Sequence, residues 1–283
     1  MSFYFRHKLL LNSARNCLRY LVKTYKIKEI NLPYYICPVI WQELRKENVR
    51  IKFYHIDKNF MPTKDFKESD FILYPNYFGI CGCQNSELTN RYEFLISDNA
   101  HSFFAEPKGF AAFYSPRKFV DVNDGGILYC NRSLDMILER DFDRIIDVSC
   151  YENFVKNELS VDNQEIKFMS LKTENFLREN SFENIKVFRR EKFVRINNIL
   201  AEFNRLEISI PDDDVPMVYP FLSESFEMLE KIVEKAREKN IFFIKFGTEV
   251  RRIFLEYDFD QIILPIPLKS EMVDILAEII NIS

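Results

Sequence analysis

The sequence predicts an α/β fold, with a large domain over residues 1–190 and a smaller α+β unit over 191–283. Three observations carry this. Short apolar runs of strand length alternate with amphipathic helical segments through the first 130 residues. Several of those runs end in polar or Pro/Gly clusters, the pattern of parallel strands whose tips face one crevice. Beyond Pro211-Asp212-Asp213-Asp214 a second strand–helix alternation begins.

Taken in order, residues 12–25 place Ala14, Cys17, Leu18, Leu21 and Val22 at i, i+3, i+4, i+7 and i+8, which predicts a helix with one buried stripe. Asn12 or Ser13 supplies its N-cap. Unpaired N–H groups and the positive dipole end make such a start a candidate phosphate holder, with Ser13 and Arg15 as the residues. Residues 29–33 read as a strand closed by Pro33, 39–47 as a helix, and 49–56 as an alternating strand, together a βαβ unit. Strands follow at 71–74 and 94–97, the second delivering Asp98 and His101 at its carboxyl end. Tyr77, Asp98, His101 and Lys118 are expected to converge at the strand tips. Residues 127–130 form a further strand. The polar stretch 131–191 shows weak helical periodicity and is expected to wrap around the sheet. A helix at 193–205, a solvated acidic turn at 211–214, a strand at 215–221, a helix at 223–239, strands at 241–246 and 261–267 and a helix at 271–282 complete the chain.

A content of 47% hydrophobic residues is enough to bury a real core. Lys+Arg 39 against Asp+Glu 43 gives a net charge of −4, without the basic surplus that nucleic-acid binding uses. The six cysteines are scattered and their one close pair is Cys81-x-Cys83, so neither a zinc site nor a disulfide framework is expected. The acidic run 212–214 lacks neighbouring ligands at a fixed spacing, so no metal is expected there. With no apolar stretch of membrane-spanning length and no signal-peptide pattern, a cytoplasmic protein without a membrane partner is expected.

The chemistry is expected in residues 110–128. An apolar run stops at Ser115-Pro116, Arg117-Lys118 follow, and Gly125-Gly126 stand behind. A lysine at the end of a buried strand loses hydration, which lowers its pKa and frees the amine as a nucleophile toward a carbonyl, the chemistry of a Schiff base.

The segments NSARNCLRYL, INLPYYICPVIWQELRKENVRIKFYHID, FILYPNYFG, FLISDNAHSFF and FYSPRKFVDVNDGG, in this order, with the later VPMVYPF and QIILPIP, resemble the sugar-nucleotide aminotransferases of the DegT/DnrJ/StrS type. These are pyridoxal-phosphate enzymes of fold type I, in the aspartate aminotransferase superfamily. The resemblance covers most of the chain except 131–191. It implies a mixed, mostly parallel sheet between helices in the large domain, pyridoxal 5′-phosphate as cofactor, and a homodimer. It implies that Lys118 carries the cofactor and moves a proton, that Asp98 pairs with the pyridine nitrogen, and that His101 lies against the ring's hydroxyl face. Ser13 and Arg15 fall in the phosphate-holding helix start, Ser115 stands near the lysine as a phosphate ligand, and Tyr35 lies in the segment that supplies the stacking aromatic, where Cys37 takes the aromatic position itself. Phe113 replaces the serine that most members have five residues before the lysine, and the family's N-terminal arm is expected to be absent. The implied reaction moves an amino group from an amino acid, glutamate, to a keto-sugar nucleotide or related carbonyl compound in surface polysaccharide or glycan synthesis. The alternative is a catalytically reduced homologue serving as a non-enzymatic binding or partner subunit.

Overall fold

The computed structural model describes residues 4–144, 146, 151–223, 225–243 and 263–281. The first elements are β1 (His7–Leu11), α1 (Ala14–Tyr25), β2 (Glu29–Pro33), α2 (Pro38–Lys46), β3 (Arg50–Tyr54), β4 (Ile72–Pro75), α3 (Gly82–Arg91), β5 (Leu95–Asn99), β6 (Ala111–Tyr114) and β7 (Gly126–Cys130). The later ones are α4 (Tyr151–Ser160), α5 (Leu171–Glu179), α6 (Glu183–Leu200), β8 (Val218–Phe221), α7 (Phe226–Glu238), β9 (Leu264–Pro267) and α8 (Ser270–Asn281).

Seven strands form one sheet in the order β1-β7-β6-β5-β4-β2-β3. Strands β2 to β6 run parallel to one another, while β7 runs antiparallel to both β6 and β1. This is the mixed, mostly parallel sheet expected. β4, β5 and β6 are buried along their whole length, as strands covered on both faces must be.

Because side chains alternate along a strand, the sheet feeds two cores. Leu73, Ile96, Phe113 and Leu128 pack with Cys17, Leu18, Leu21 and Val22 of α1 and with Ile40 and Leu44 of α2. Ile72, Tyr74 and Leu95 face the other way, onto Phe193 and Ile196 of α6, Tyr219 and Phe221 of β8, and Met272 and Leu276 of α8. The C-terminal two-stranded antiparallel sheet β8-β9 and its helices are thereby tied to the central strands.

Several features differ from expectation. β1 was not anticipated; it gains its partner only when β7 returns beside it, and its own pattern of partly buried residues is weak. The stretch 131–191 contains α4, α5 and the first turns of α6, and α6 ends at Leu200 rather than 205. Asp214 is not part of a solvated turn. It is 5% exposed, and its Oδ2 accepts from the Gly82 N–H at 2.9 Å, at the start of α3, while Asp212 and Asp213 remain exposed. Of the strand expected over 241–246, residues 244–246 lie outside the described residues and 241–243 take no regular structure. Gly247 and Cys150 also lie outside them.

Candidate active site

The parallel strands β4, β5 and β6 bring their carboxyl ends together, with Pro75 registered against Asp98 and Asp98 against Phe113. Beyond them lies a cavity lined by Ala14, Arg15, Ile36, Cys37, Pro75, Asp98, His101, Phe113, Ser115, Arg117, Lys118 and Glu158. Its position is where open α/β sheets place their ligands.

Lys118 ends a short 3-10 turn, Pro116–Lys118, that begins just past β6. Pro116 presets the turn, and the Lys118 N–H donates to the Ser115 carbonyl at 3.3 Å. The side chain is exposed to water and lines the cavity. Desolvation by the protein atoms around it lowers its pKa below the ordinary lysine value, while Cys37, Asp98 and Glu158 act in the opposite sense.

Asp98 is 7% exposed. Burial pushes its pKa up to about 6, against the Ala100 N–H, which donates to Oδ1 at 2.9 Å, and against the Lys118 charge. Among the described residues no hydrogen bond reaches Oδ2. A buried carboxylate with a spare acceptor beside a cavity is suited to a cationic N–H.

His101 is buried, and burial first, then Lys118, holds its pKa well below the ordinary imidazole value. The ring is therefore neutral. Its Nδ1 accepts from the Phe78 N–H at 3.4 Å, which assigns the proton to Nε2 and makes that atom a donor.

The α1 N-terminus reaches the cavity because two glycines, Gly125 just before β7 and Gly126 at its start, lie against it. Gly125 has φ +111°, and its N–H donates to the Asn12 carbonyl at 2.8 Å. Gly126 lies so close to Ser13 that a β-carbon there would stand 2.4 Å from the Ser13 carbonyl carbon. Gly125-Gly126 thus set the helix start against the lysine loop.

Ser13 is the N-cap, its Oγ accepting from the Asn16 N–H at 3.2 Å, and is absent from the cavity lining, which Ala14 and Arg15 reach. Ser115 lines the cavity, 3% exposed. Tyr35 does not line it: the ring is 1% exposed and stacks on Tyr77 at 5.7 Å within the aromatic core. Tyr77 is buried in the same core, its hydroxyl donating to the Tyr35 carbonyl at 3.0 Å. The wall beside Tyr35 in sequence is made by Ile36 and Cys37. Five of the seven singled-out residues, Arg15, Asp98, His101, Ser115 and Lys118, therefore share one cavity, while Ser13 and Tyr35 do not line it.

Two lining residues escaped sequence reasoning as site members. Arg117 was noted only as the neighbour of Lys118, and Glu158 lies in the stretch that showed no readable chemistry. Glu158 accepts from Arg117 Nη1 at 2.5 Å and from Arg15 Nη2 at 2.7 Å. No local pattern announces a contact spanning 143 residues, so only the folded chain reveals it.

The donor set fits pyridoxal phosphate: an amine of lowered pKa, a buried carboxylate with a free acceptor oxygen, a neutral imidazole donor, and a helix start with two guanidinium groups for a phosphate.

No protein-family model and no curated protein matches the sequence. Solved structures do. The chain is similar to a DegT/DnrJ/EryC1/StrS aminotransferase from Brucella abortus, with TM-score 0.60 and 12% identity over 98% of this chain and 87% of that one. It is equally similar to PseC from Helicobacter pylori, an aminotransferase involved in pseudoaminic acid biosynthesis, with TM-score 0.60 and 14% identity over 99% and 88%. NtdA from Bacillus subtilis, solved with bound cofactor PMP, matches with TM-score 0.60 and 13% identity over 98% and 74%. The chain has the fold of these aminotransferases.

Proposed function

We propose that the chain is a pyridoxal-phosphate-dependent aminotransferase that acts on a sugar or a related carbonyl compound. The observation that carries this reading is a single cavity in which the Lys118 amine meets the buried carboxylate of Asp98 and the buried neutral ring of His101. The fold shared with aminotransferases, one of them holding PMP, supports it.

When bound, the cofactor supplies an electrophilic carbonyl and an electron-withdrawing ring. Asp98 would hold the cofactor's ring N–H cation at its free oxygen, and such a charge pair would lower the Asp98 pKa from about 6. His101 Nε2 donates a hydrogen bond and adds no charge. As the free amine, Lys118 Nζ would hold the cofactor at its carbonyl carbon and would be the group that moves the donor's α-proton. Ser115, Arg15 and the N–H groups at the start of α1, which Ser13 caps, would hold the phosphate. Cys37 and Ile36 take the place of a stacking aromatic.

The finer reading is a glutamate donor, a keto-sugar nucleotide acceptor, a role in surface polysaccharide or glycan synthesis, and a cytoplasmic homodimer. It rests on the sequence resemblance, and PseC's part in pseudoaminic acid biosynthesis agrees with it. Among the described residues no helix is long and apolar enough to cross a membrane. The division into 1–190 and 191–283 belongs to the same proposal, with α6 as the helix that joins the two parts. A non-enzymatic role is the weaker reading, because Lys118 and Asp98 both reach the cavity.

The test is spectroscopic. Added pyridoxal phosphate should give the visible absorbance of a lysine Schiff base, and glutamate should discharge it. If no amino acid discharges that absorbance, transamination is wrong; if others do and glutamate does not, only the donor is.

A further inference from the structure

One charged cluster in the cavity is unused by the amine chemistry. Arg15, in the first turn of α1, and Arg117, beside Lys118, hold separate oxygens of Glu158: Arg15 Nη2 donates to Oε2 at 2.7 Å and Arg117 Nη1 to Oε1 at 2.5 Å. Glu158 reaches them from α4. A carboxylate gripped on each oxygen by a guanidinium is how proteins bind external oxyanions, and here the protein's own side chain fills the grip.

Several observations mark this cluster as a receptor with a removable occupant rather than a sealed ion pair. The Glu158 side chain keeps 31% exposure, while Arg15 and Arg117 keep 14% and 12%. Arg117 Nε is buried and has no hydrogen-bond partner among the described residues, so a donor remains unused. The second contact of Arg15, to Asp162, is long at 3.5 Å. Burial alone would push the Glu158 pKa up, but Arg117 and Arg15, with Lys118 beyond them, hold it below the usual carboxylate range. At neutral pH the occupant is an anion, and it competes with any other anion for the same two arginines.

We propose that Arg15 and Arg117 form an oxyanion receptor beside Lys118 and that Glu158 is its built-in occupant, displaced when a phosphate or carboxylate enters. The inference rests on the cofactor reading above. Its incoming oxyanion has two sources, the cofactor's phosphate and a carboxylate of the amino donor. In either case Glu158 lowers the apparent affinity by the fraction of molecules in which it fills the receptor. The α4 segment thereby becomes a threshold on ligand entry.

The test compares pyridoxal phosphate with pyridoxal, which lacks the phosphate, in wild type, Glu158→Gln and Arg117→Gln. The readout is the Lys118 adduct trapped by borohydride and measured by mass, as a function of aldehyde concentration. Glu158 also acts on Lys118, an effect both aldehydes share, so the ratio between them is read; removing a charge near a surface is worth about tenfold, and Glu158→Gln should tighten pyridoxal phosphate about tenfold relative to pyridoxal. Arg117→Gln should weaken pyridoxal phosphate relative to pyridoxal. If Glu158→Gln leaves both aldehydes unchanged but tightens glutarate, measured as slower capture of Lys118 by pyridoxal, the receptor serves the donor's carboxylate. Equal effects on both aldehydes, or no effect on aldehydes and glutarate, would overturn the inference. Adduct formation with pyridoxal also reports that each variant is folded. If wild type forms no Lys118 adduct with either aldehyde, the cofactor reading fails instead.

Discussion

Gly126 lies against Ser13 so closely that a β-carbon would come within 2.4 Å of the Ser13 carbonyl carbon and 2.5 Å of its oxygen. The neighbour is backbone, at the cap of α1, and cannot swing aside as a side chain would. Gly126→Ala is therefore expected to destabilise the fold by about 1–3 kcal/mol, the usual cost of overpacking. It should also weaken phosphate-bearing ligands more than pyridoxal, since the displaced element is the helix start. Urea unfolding gives the first number and a binding titration the second; an unchanged midpoint would contradict the packing argument.

Asp98 gives the cavity a pH signature. Its folded-state pKa, about 6, lies above the ordinary value of 3.8, so between those values the folded protein holds a proton that the unfolded chain has released. Stability conferred by the protonated form is complete below pH 4 and is lost as pH rises to about 6, by up to about 3 kcal/mol. Asp98→Asn removes this term. The variant without cofactor should be more stable than wild type at pH 7.5, with the difference vanishing near pH 4. The lowered His101 pKa acts oppositely in wild type and variant alike and cancels in the comparison. Thermal melts of both proteins across this range check it, and a difference independent of pH would show that the Asp98 carboxyl is not buried as described.

Asp214 is expected to act as a remote cap for α3. Asp214→Ala leaves the Gly82 N–H without its 2.9 Å acceptor and should cost about 1–2 kcal/mol, as loss of a capping side chain does. Asp214→Asn keeps an acceptor and should cost less. Equal losses in chemical denaturation would argue that charge, not the hydrogen bond, holds the contact.

Much of the site was legible because its chemistry sits on residues fixed by local sequence. Asp98 and His101 follow an apolar strand, Lys118 follows another, and strand tips in such a sheet face one crevice, so their meeting follows from the α/β pattern. What was not legible depends on tertiary contacts. Tyr35 reads as a candidate in the segment that supplies the stacking aromatic, yet its flat stack on Tyr77 draws it into the core and leaves Cys37 at the cavity wall. Asp214 reads as one acid of a solvated run until α3 offers an N–H. Glu158 lies on a weakly periodic helix whose role comes from two arginines 143 and 41 residues away. β1, too short and too mixed to signal itself, exists because β7 returns beside it.

The central claim is that Lys118 is the residue that carries the cofactor. Incubation with pyridoxal phosphate, reduction with borohydride and peptide mass mapping test it directly. The account predicts one adduct per chain, located on Lys118, lost in Lys118→Met, and forming at a pH below that at which an ordinary lysine becomes reactive. Adducts scattered over other lysines, or one that persists in Lys118→Met, would contradict it.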